Sequence, residues 1–200
     1  MPDEKLKKYS LMKGGKRSVP EDWNYLKGSG TLPPDVDITG YREVQETYDR
    51  LKFSEEEQDG IWRICALVLH LGQLEYNKTT YDESKNVPCS IKNQDELKIV
   101  ADLYGIADIA SLEKPLTMKL VKAPTKNDKD LWTIVPFDFC KTNRDSLCKQ
   151  IFNCMFNWLV KRMNISIEPA NMKDESFKAH TKTIGLLDIF GFENFPAPPN

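Results

Sequence analysis

Apolar residues return at helical spacing along most of the chain, and polar stretches rich in turn formers separate them. Tyr41, Val44, Tyr48 and Leu51 recur at i, i+3, i+7 and i+10 and predict one helix face. Ser54 can cap the next helix, with Glu57 reaching back from its third position as a capping box. Glu55, Glu56 and Glu57 also suit the positive end of the helix dipole. Ile61, Ile64, Val68 and Leu71 line one face of that helix. Trp62, Cys65, Leu67 and Leu69 make it apolar nearly all round, so it is expected at the centre, with Gly72 placed to end it. Residues 77–93 read as a polar loop. Asn93 and Glu96 open a further helix carrying Leu97, Val100, Ala101 and Tyr104, and Gly105 stops it.

The second half changes period. Leu116 to Val121 and Leu131 to Val135 predict two strands joined by the lysine-rich loop Ala123 to Lys129. A long helix is expected from about Asn143 to Met163, with Leu147, Ile151, Met155, Trp158 and Leu159 as its core stripe. Ile165, Ile167 and Pro169 weaken and then close that pattern. Thr183 to Leu187 is apolar on both faces, as in a buried strand of a covered sheet. Such a strand needs neighbours, and the rest of the chain offers few, which suggests a piece of a larger fold. The expected class is therefore mainly α, with a short β-hairpin and a terminal strand.

Charge excludes some classes. The 200 residues hold 28 Lys and Arg against 30 Asp and Glu, a net charge of -2, which supports neither nucleic-acid binding nor adsorption to an anionic membrane. No apolar run approaches the roughly 18 residues of a membrane helix, so no membrane insertion is expected. The first ten residues lack the apolar stretch of a secretory signal. The cysteines are Cys65, Cys89, Cys140, Cys148 and Cys154, an odd number without a C-x-x-C pair, which fits reduced thiols in a cytosolic protein. Neither histidine has the spacing of a zinc ligand. Residues 1–17 are basic, through Lys5, Lys7, Lys8, Lys13, Lys16 and Arg17. They read as a solvated helix end and loop or as a binding patch. Residues 18–40 are turn-rich, and Trp23, Tyr25 and Leu26 can pin them to a core.

The chemistry concentrates at the last predicted strand. Asp188 would face the crevice outside its carboxyl end, where ligands collect in open α/β sheets. An aspartate there can hold Mg²⁺ directly or through water. Gly191 has no Cβ, so its amide can approach a γ-phosphate closely. Glu193 can pair with a cation and latch two loops. Asp-x-x-Gly alone is also an ordinary strand-to-turn exit, so the flanking residues decide its meaning.

Gly185-Leu186-Leu187-Asp188-Ile189-Phe190-Gly191-Phe192-Glu193-Asn194-Phe195 resembles the switch II segment of myosins. Pro20 to Leu26, Phe53 to Gln58 with Ile61 to Tyr76, and Arg144 to Lys149 with Phe156 to Val160 resemble further myosin segments, in the family's order. The resemblance covers residues 18–195, with 1–17 a basic N-terminal segment and 196–200 a proline-rich, non-matching end. It implies part of the upper 50-kDa region of a motor head, a fragment of an α/β P-loop NTPase fold. Asp188 would then sit by Mg²⁺ and its water, the Gly191 amide would contact the γ-phosphate of ATP, and Glu193 would bridge to a switch I arginine, so that Gly191 and Glu193 serve catalysis. Lys119, Lys122, Lys126 and Lys129 would face the acidic surface of an actin filament; without the resemblance they are a solvated hairpin tip. An acidic residue near this loop's distal end is expected in some myosins, and Asp128 and Asp130 both remain open for it.

Other parts of the pattern are missing from these 200 residues. The P-loop G-x-x-x-x-G-K-[ST] does not occur: Gly15-Lys16 is followed by Arg17, and Ser10 stands at the first glycine position. The switch I serines and arginine are absent too. The expectation is a partial motor that does not hold ATP and Mg²⁺ tightly or turn over by itself. Its partners would be actin filaments and the remainder of a myosin heavy chain, in the cytoplasm on the actin cytoskeleton. A non-enzymatic actin-interacting module and a non-functional truncated remnant are the alternatives.

Overall fold

The computed structural model describes residues 1–30, 34–77, 89–123, 129–168, 182 and 184–185, with residues 34–38 described by backbone only. Met1–Ser166 packs as one unit, and Ile167–Asn200 is a second. In the first unit, helix α1 spans Asp3–Lys8, followed by strands β1 (Met12–Lys13) and β2 (Lys16–Arg17). Then come α2 (Pro34–Arg50), α3 (Glu55–Gly72), α4 (Gln94–Tyr104), α5 (Ile109–Thr117), β3 (Met118–Val121), β4 (Leu131–Ile134) and α6 (Phe137–Ile167). Among the described residues helices dominate, and the two antiparallel sheets, β1–β2 and β3–β4, have two strands each.

The start of α3 follows from its side chains. Ser54 Oγ accepts from Glu57 N at 3.1 Å, and Glu57 Oε2 accepts from Ser54 N at 2.8 Å. This reciprocal pair satisfies two amides that the first helical turn leaves without partners. Just before it, Lys52 takes a left-handed conformation (φ 55°), which lets Phe53 N donate to Tyr48 O and close α2. The turn between α2 and α3 is thus fixed locally.

Two apolar clusters organise this unit. The main one gathers Tyr9, Leu67, Leu71, Leu74, Leu97, Val100, Leu112, Leu116 and Cys140, among others. The smaller holds Tyr48, Phe53, Ile61 and Met155, with Trp62, Leu159 and Met163 against it. α3 and α6 contribute to both, which explains why α3 is apolar on more than one face. α4 packs on α3, and α5 packs on α4 and β3.

Several expectations need correction. α3 does end at Gly72, but the following Gln73 is right-handed, so no left-handed glycine turn makes the stop. A Cβ at Gly72 would lie 2.7 Å from two ring carbons of Tyr25, so the glycine is there to admit that ring. Gly72→Ala is expected to cost about 1–2 kcal/mol by overpacking. In a Tyr25→Ala background the penalty should vanish, because alanine has the better helix propensity. Urea denaturation of the four proteins measures this, and equal penalties in both backgrounds would show that the ring is not the cause.

The N-terminal segment holds more structure than its basic composition suggests. Gly14 (φ 54°) and Gly15 (φ 76°) form the two-residue turn of the β1–β2 hairpin, where both positions need positive φ. Tyr9, one aromatic in a basic run without periodicity, is buried in the main core. Leu116 and Thr117 belong to α5 rather than to a strand. Pro115 inside the last turn hides that helix from sequence reading, yet Asp108 caps its start by accepting from Ala110 N at 3.1 Å. α6 begins six residues earlier than expected and ends four later (Phe137–Ile167 against 143–163). Val44, Tyr104 and Trp158 were placed on core stripes but are exposed; the neighbouring Leu103 is buried instead of Tyr104.

Of the terminal strand expected over Thr183 to Leu187, only Ile184 and Gly185 are described. They form no strand, and Ile184 is 89% exposed. A strand made to be covered on both faces requires paired neighbours. Residues 183 and 186–187 lie outside the described residues.

Candidate functional site

Three of the sequence landmarks converge on the C-terminal end of α3. From the Pro20 to Leu26 segment, Asn24 Nδ2 donates to Gly72 O at 2.9 Å, and Asn24 N donates to Gln73 Oε1 at 2.8 Å. Gln73 Nε2 returns a bond to Asp22 O at 2.8 Å. From α6, Arg144 Nη1 donates to Leu74 O at 2.9 Å and more weakly to Gly72 O at 3.4 Å. A cation at the negative end of a helix, bonded to its last carbonyls, is favourable on both counts.

Asp145 completes the joint. It receives Arg144 Nε at 2.8 Å and Nη2 at 2.7 Å, so the guanidinium presents its fork to the carboxylate. Tyr25 Oη donates to the same oxygen at 2.5 Å. Burial, then the hydrogen bond to Asp145, push the Tyr25 phenol above its ordinary range, so it remains a donor. The Arg-Asp pair of the long helix therefore ties α6, the tyrosine loop and the end of α3 together.

Two further anchors were not legible beforehand. Arg162 Nε donates to Glu57 Oε1 at 2.6 Å, and Nη2 donates to Glu57 Oε2 at 3.1 Å and to Lys52 O at 2.7 Å. Arg162, then the Ser54 amide, hold the Glu57 carboxyl below its ordinary value. The capping glutamate thus also fastens α6 to the start of α3. At the other end of α3 the buried His70 ring places Nδ1 2.6 Å from Glu96 Oε1 and Nε2 3.0 Å from Tyr9 O. Trp23 stands edge-on to it, with ring centroids 5.0 Å apart. The only available signal was His70 on the apolar face of a central helix.

This framework carries the β3–β4 hairpin. Its register pairs Met118 with Ile134, Lys119 with Thr133, Leu120 with Trp132 and Val121 with Leu131. Cross-strand partners share a face, so Lys119, Val121, Leu131 and Thr133 lie together. Val121 is 44% and Leu131 63% exposed, a mixed apolar and cationic face. On the opposite face Lys114 Nζ sits 5.0 Å from the Trp132 ring centroid. At the distal end Asp130 accepts from Ala123 N at 2.9 Å and from Lys122 Nζ at 3.1 Å. The Ala123 amide, then Lys122, hold its carboxyl below the ordinary range.

The hairpin thus collects three of the lysines singled out from the sequence. Lys122 is paired to Asp130, whereas Lys119 and Lys129 make no ion pair among the described residues. Lys126 and Asp128 lie outside the described residues, as do Asp188, Gly191 and Glu193. No cluster of potential metal ligands and no helix able to cross a membrane occurs among the described residues. All five cysteines are free.

Residues 2–198 match the family described as the myosin head (motor domain). The high molecular weight form of myosin-1 of Acanthamoeba castellanii is 33% identical over 193 residues, covering 91% of this chain and 11% of its own length. Myosin-8 of Arabidopsis thaliana is 33% identical over 196 residues, covering 97% of this chain and 12% of that protein. The myosin-I heavy chain of Dictyostelium discoideum is 33% identical over 184 residues, 90% of this chain and 7% of its own length. The chain spans about a tenth of the length of the curated relatives it matches. The joints at both ends of α3 give a physical reason for the tyrosine, glutamate and arginine-aspartate landmarks. With the match over nearly the whole chain, they lead to one conclusion: this protein belongs to the myosin head family.

Proposed function

We propose that the chain is part of an actin-based, ATP-driven cytoskeletal motor in the cytoplasm, and that its own share of that work is to present the β3–β4 hairpin to the actin filament. The observation that carries this reading is the hairpin face on which Lys119 lies beside exposed Val121 and Leu131. Unpaired cations aid encounter with an acidic surface, and apolar neighbours supply contact area once water is expelled. Lys129 extends the cationic edge toward the loop. Lys122 contributes less, because Asp130 already neutralises it.

Co-sedimentation of the 200-residue chain with filamentous actin tests the reading. Binding should weaken as salt rises. The double change Lys119→Glu and Lys129→Glu should lower affinity about tenfold or more, as like charges then face the partner. Unchanged affinity would rule the hairpin out as the contact.

The nucleotide chemistry belongs to the complete motor, as a fragment of its α/β P-loop NTPase fold. Asp188 offers the oxygen ligand that Mg²⁺ prefers, directly or through water. Gly191 offers an amide without a Cβ, and Glu193 a carboxylate for a switch I arginine. Bound there, Mg²⁺ and ATP would supply the γ-phosphate whose loss resets such a loop. The 200 residues contain no G-x-x-x-x-G-K-[ST] to cradle phosphates, so the chain alone should show no ATP turnover. Actin-stimulated phosphate release by this chain would overturn that statement. Actin binding without turnover is the expected outcome, and absence of both would favour a non-functional remnant.

A further inference from the structure

The two contacts of His70 need more protons than a neutral ring carries. The residue has no exposed surface, and its Nδ1 lies 2.6 Å from Glu96 Oε1 and its Nε2 3.0 Å from Tyr9 O. A backbone carbonyl only accepts, and so does an ionised carboxylate. Each contact is therefore a hydrogen bond only if it holds a proton. A neutral imidazole brings one proton to its two nitrogens. The other sits either on the ring, as an imidazolium facing a carboxylate, or on Glu96, as a carboxylic acid donating to Nδ1. Both arrangements carry one proton beyond a neutral ring and an ionised carboxylate. Without it, a bare ring nitrogen faces an acceptor in a dry site, which is costly.

The groups around the ring come from three directions. Glu96 enters from α4 with its side chain 13% exposed, while the neighbouring Asp95 is exposed and pairs with Lys98. Trp23 packs on the ring from the loop, with Lys13 Nζ 4.7 Å from the Trp23 ring centroid. Tyr9 ends α1 and is held twice. Its carbonyl meets His70, and its hydroxyl donates at 2.7 Å to Asp59 of α3, which Lys8 also pairs with. The β1–β2 hairpin is linked to the same place. Ser18 Oγ donates to Leu11 O at 2.9 Å and accepts from Trp23 Nε1 at 3.0 Å. The His70 ring is thus one of the ties that hold the whole N-terminal segment on α3.

We propose that His70 and Glu96 form a proton-held latch: the pair keeps one extra proton while residues 3–18 are docked, and loss of that proton releases them from α3. The sign follows from counting protons. The docked form holds the extra proton between ring and carboxylate. In the open form the ring meets water and sheds its proton above about 6.5, the ordinary histidine value. Above that pH the docked form binds one proton more, so raising the pH favours opening, by up to about tenfold per pH unit. Just below it both forms carry the proton, and pH loses its leverage on the latch.

The experiment uses the full chain carrying His180→Gln, which leaves His70 as the single imidazole. Nitrogen-15 NMR at about pH 7.5 reads both ring nitrogens, and carbon-13 NMR reads the Glu96 carboxyl. Two protonated ring nitrogens, or a protonated Glu96 carboxyl, are expected. A ring with one bare nitrogen beside an ionised Glu96 overturns the proposal. Amide exchange in residues 3–18, corrected for its intrinsic dependence on base, then gives the opening constant between about pH 6 and 9. It should rise up to about tenfold per pH unit above about pH 6.5. In Glu96→Gln it should be flat, because a neutral amide gives the second proton no ion to stay for. A flat profile in the parent chain, or equal slopes in the two proteins, overturns the latch. The NMR reading needs no change at either position, so a folding defect in Glu96→Gln cannot obscure it.

Discussion

Replacing Arg144 by methionine should destabilise the fold by about 3 kcal/mol, most of it from groups left behind rather than from the arginine itself. Leu74 O loses its donor, the Asp145 carboxylate loses its countercharge and keeps only Tyr25 Oη, and Gly72 O keeps Asn24 Nδ2. Methionine retains the length of the stem, so packing changes little. Arg144→Lys should recover less than half of the loss. An ammonium cannot fork onto Asp145 and reach Leu74 O at once. The measurement is urea denaturation, with a lowered midpoint and an unchanged slope. Tyr25→Phe in both backgrounds supplies the control. Tyr25 shares Asp145, so its hydroxyl should matter differently once Arg144 is gone. A loss below about 0.5 kcal/mol would place the arginine among ordinary surface residues. The Arg-Asp landmark would then need another explanation.

Leu97→Ala should cost about 3–4 kcal/mol, the range of a fully buried leucine that leaves a cavity. Leu97 and Val100 have no exposed surface and face α3 from α4. The effect should spread beyond α4. Glu96, one residue away, fixes the His70 ring, and the same ring holds Tyr9 O. Loosening α4 should therefore speed amide exchange in residues 3–18 as well as in α4 itself. Phe156→Ala is the matched control. It removes a larger side chain, but Phe156 is 53% exposed on α6, so the loss should stay within about 1 kcal/mol. Equal losses at the two positions would mean that α4 does not hold the core.

The acidic start of α3 shows how far local chemistry reaches. Ser54 and Glu57 were readable as a cap because both halves of the motif lie three residues apart. That Glu57 also holds Arg162, far along the chain, was not readable, because no local rule joins those positions. The hairpin behaved alike. Alternating residues indicated its strands, but Pro115 concealed the helix turn that trims the first one to Met118–Val121. Gly72 ends α3 as read, but its second use was hidden. A glycine after an apolar helix is normally a stop, and only the Tyr25 ring standing over it reveals the other use.

By itself the sequence determined the helical character, the cap of α3, the lysine hairpin and the myosin resemblance. These depend on residue type and short spacing, which act within a few residues of chain. Tertiary structure alone decided that Tyr9 is core, that Lys122 is paired with Asp130 while Lys119 and Lys129 make no ion pair among the described residues, and that the buried Tyr76 hydroxyl has no hydrogen-bond partner. Each of those depends on which distant groups share a dry or partly dry space. Burial and pairing set the energy of a charge, a thiol or a phenol, and neither can be read from neighbours along the chain.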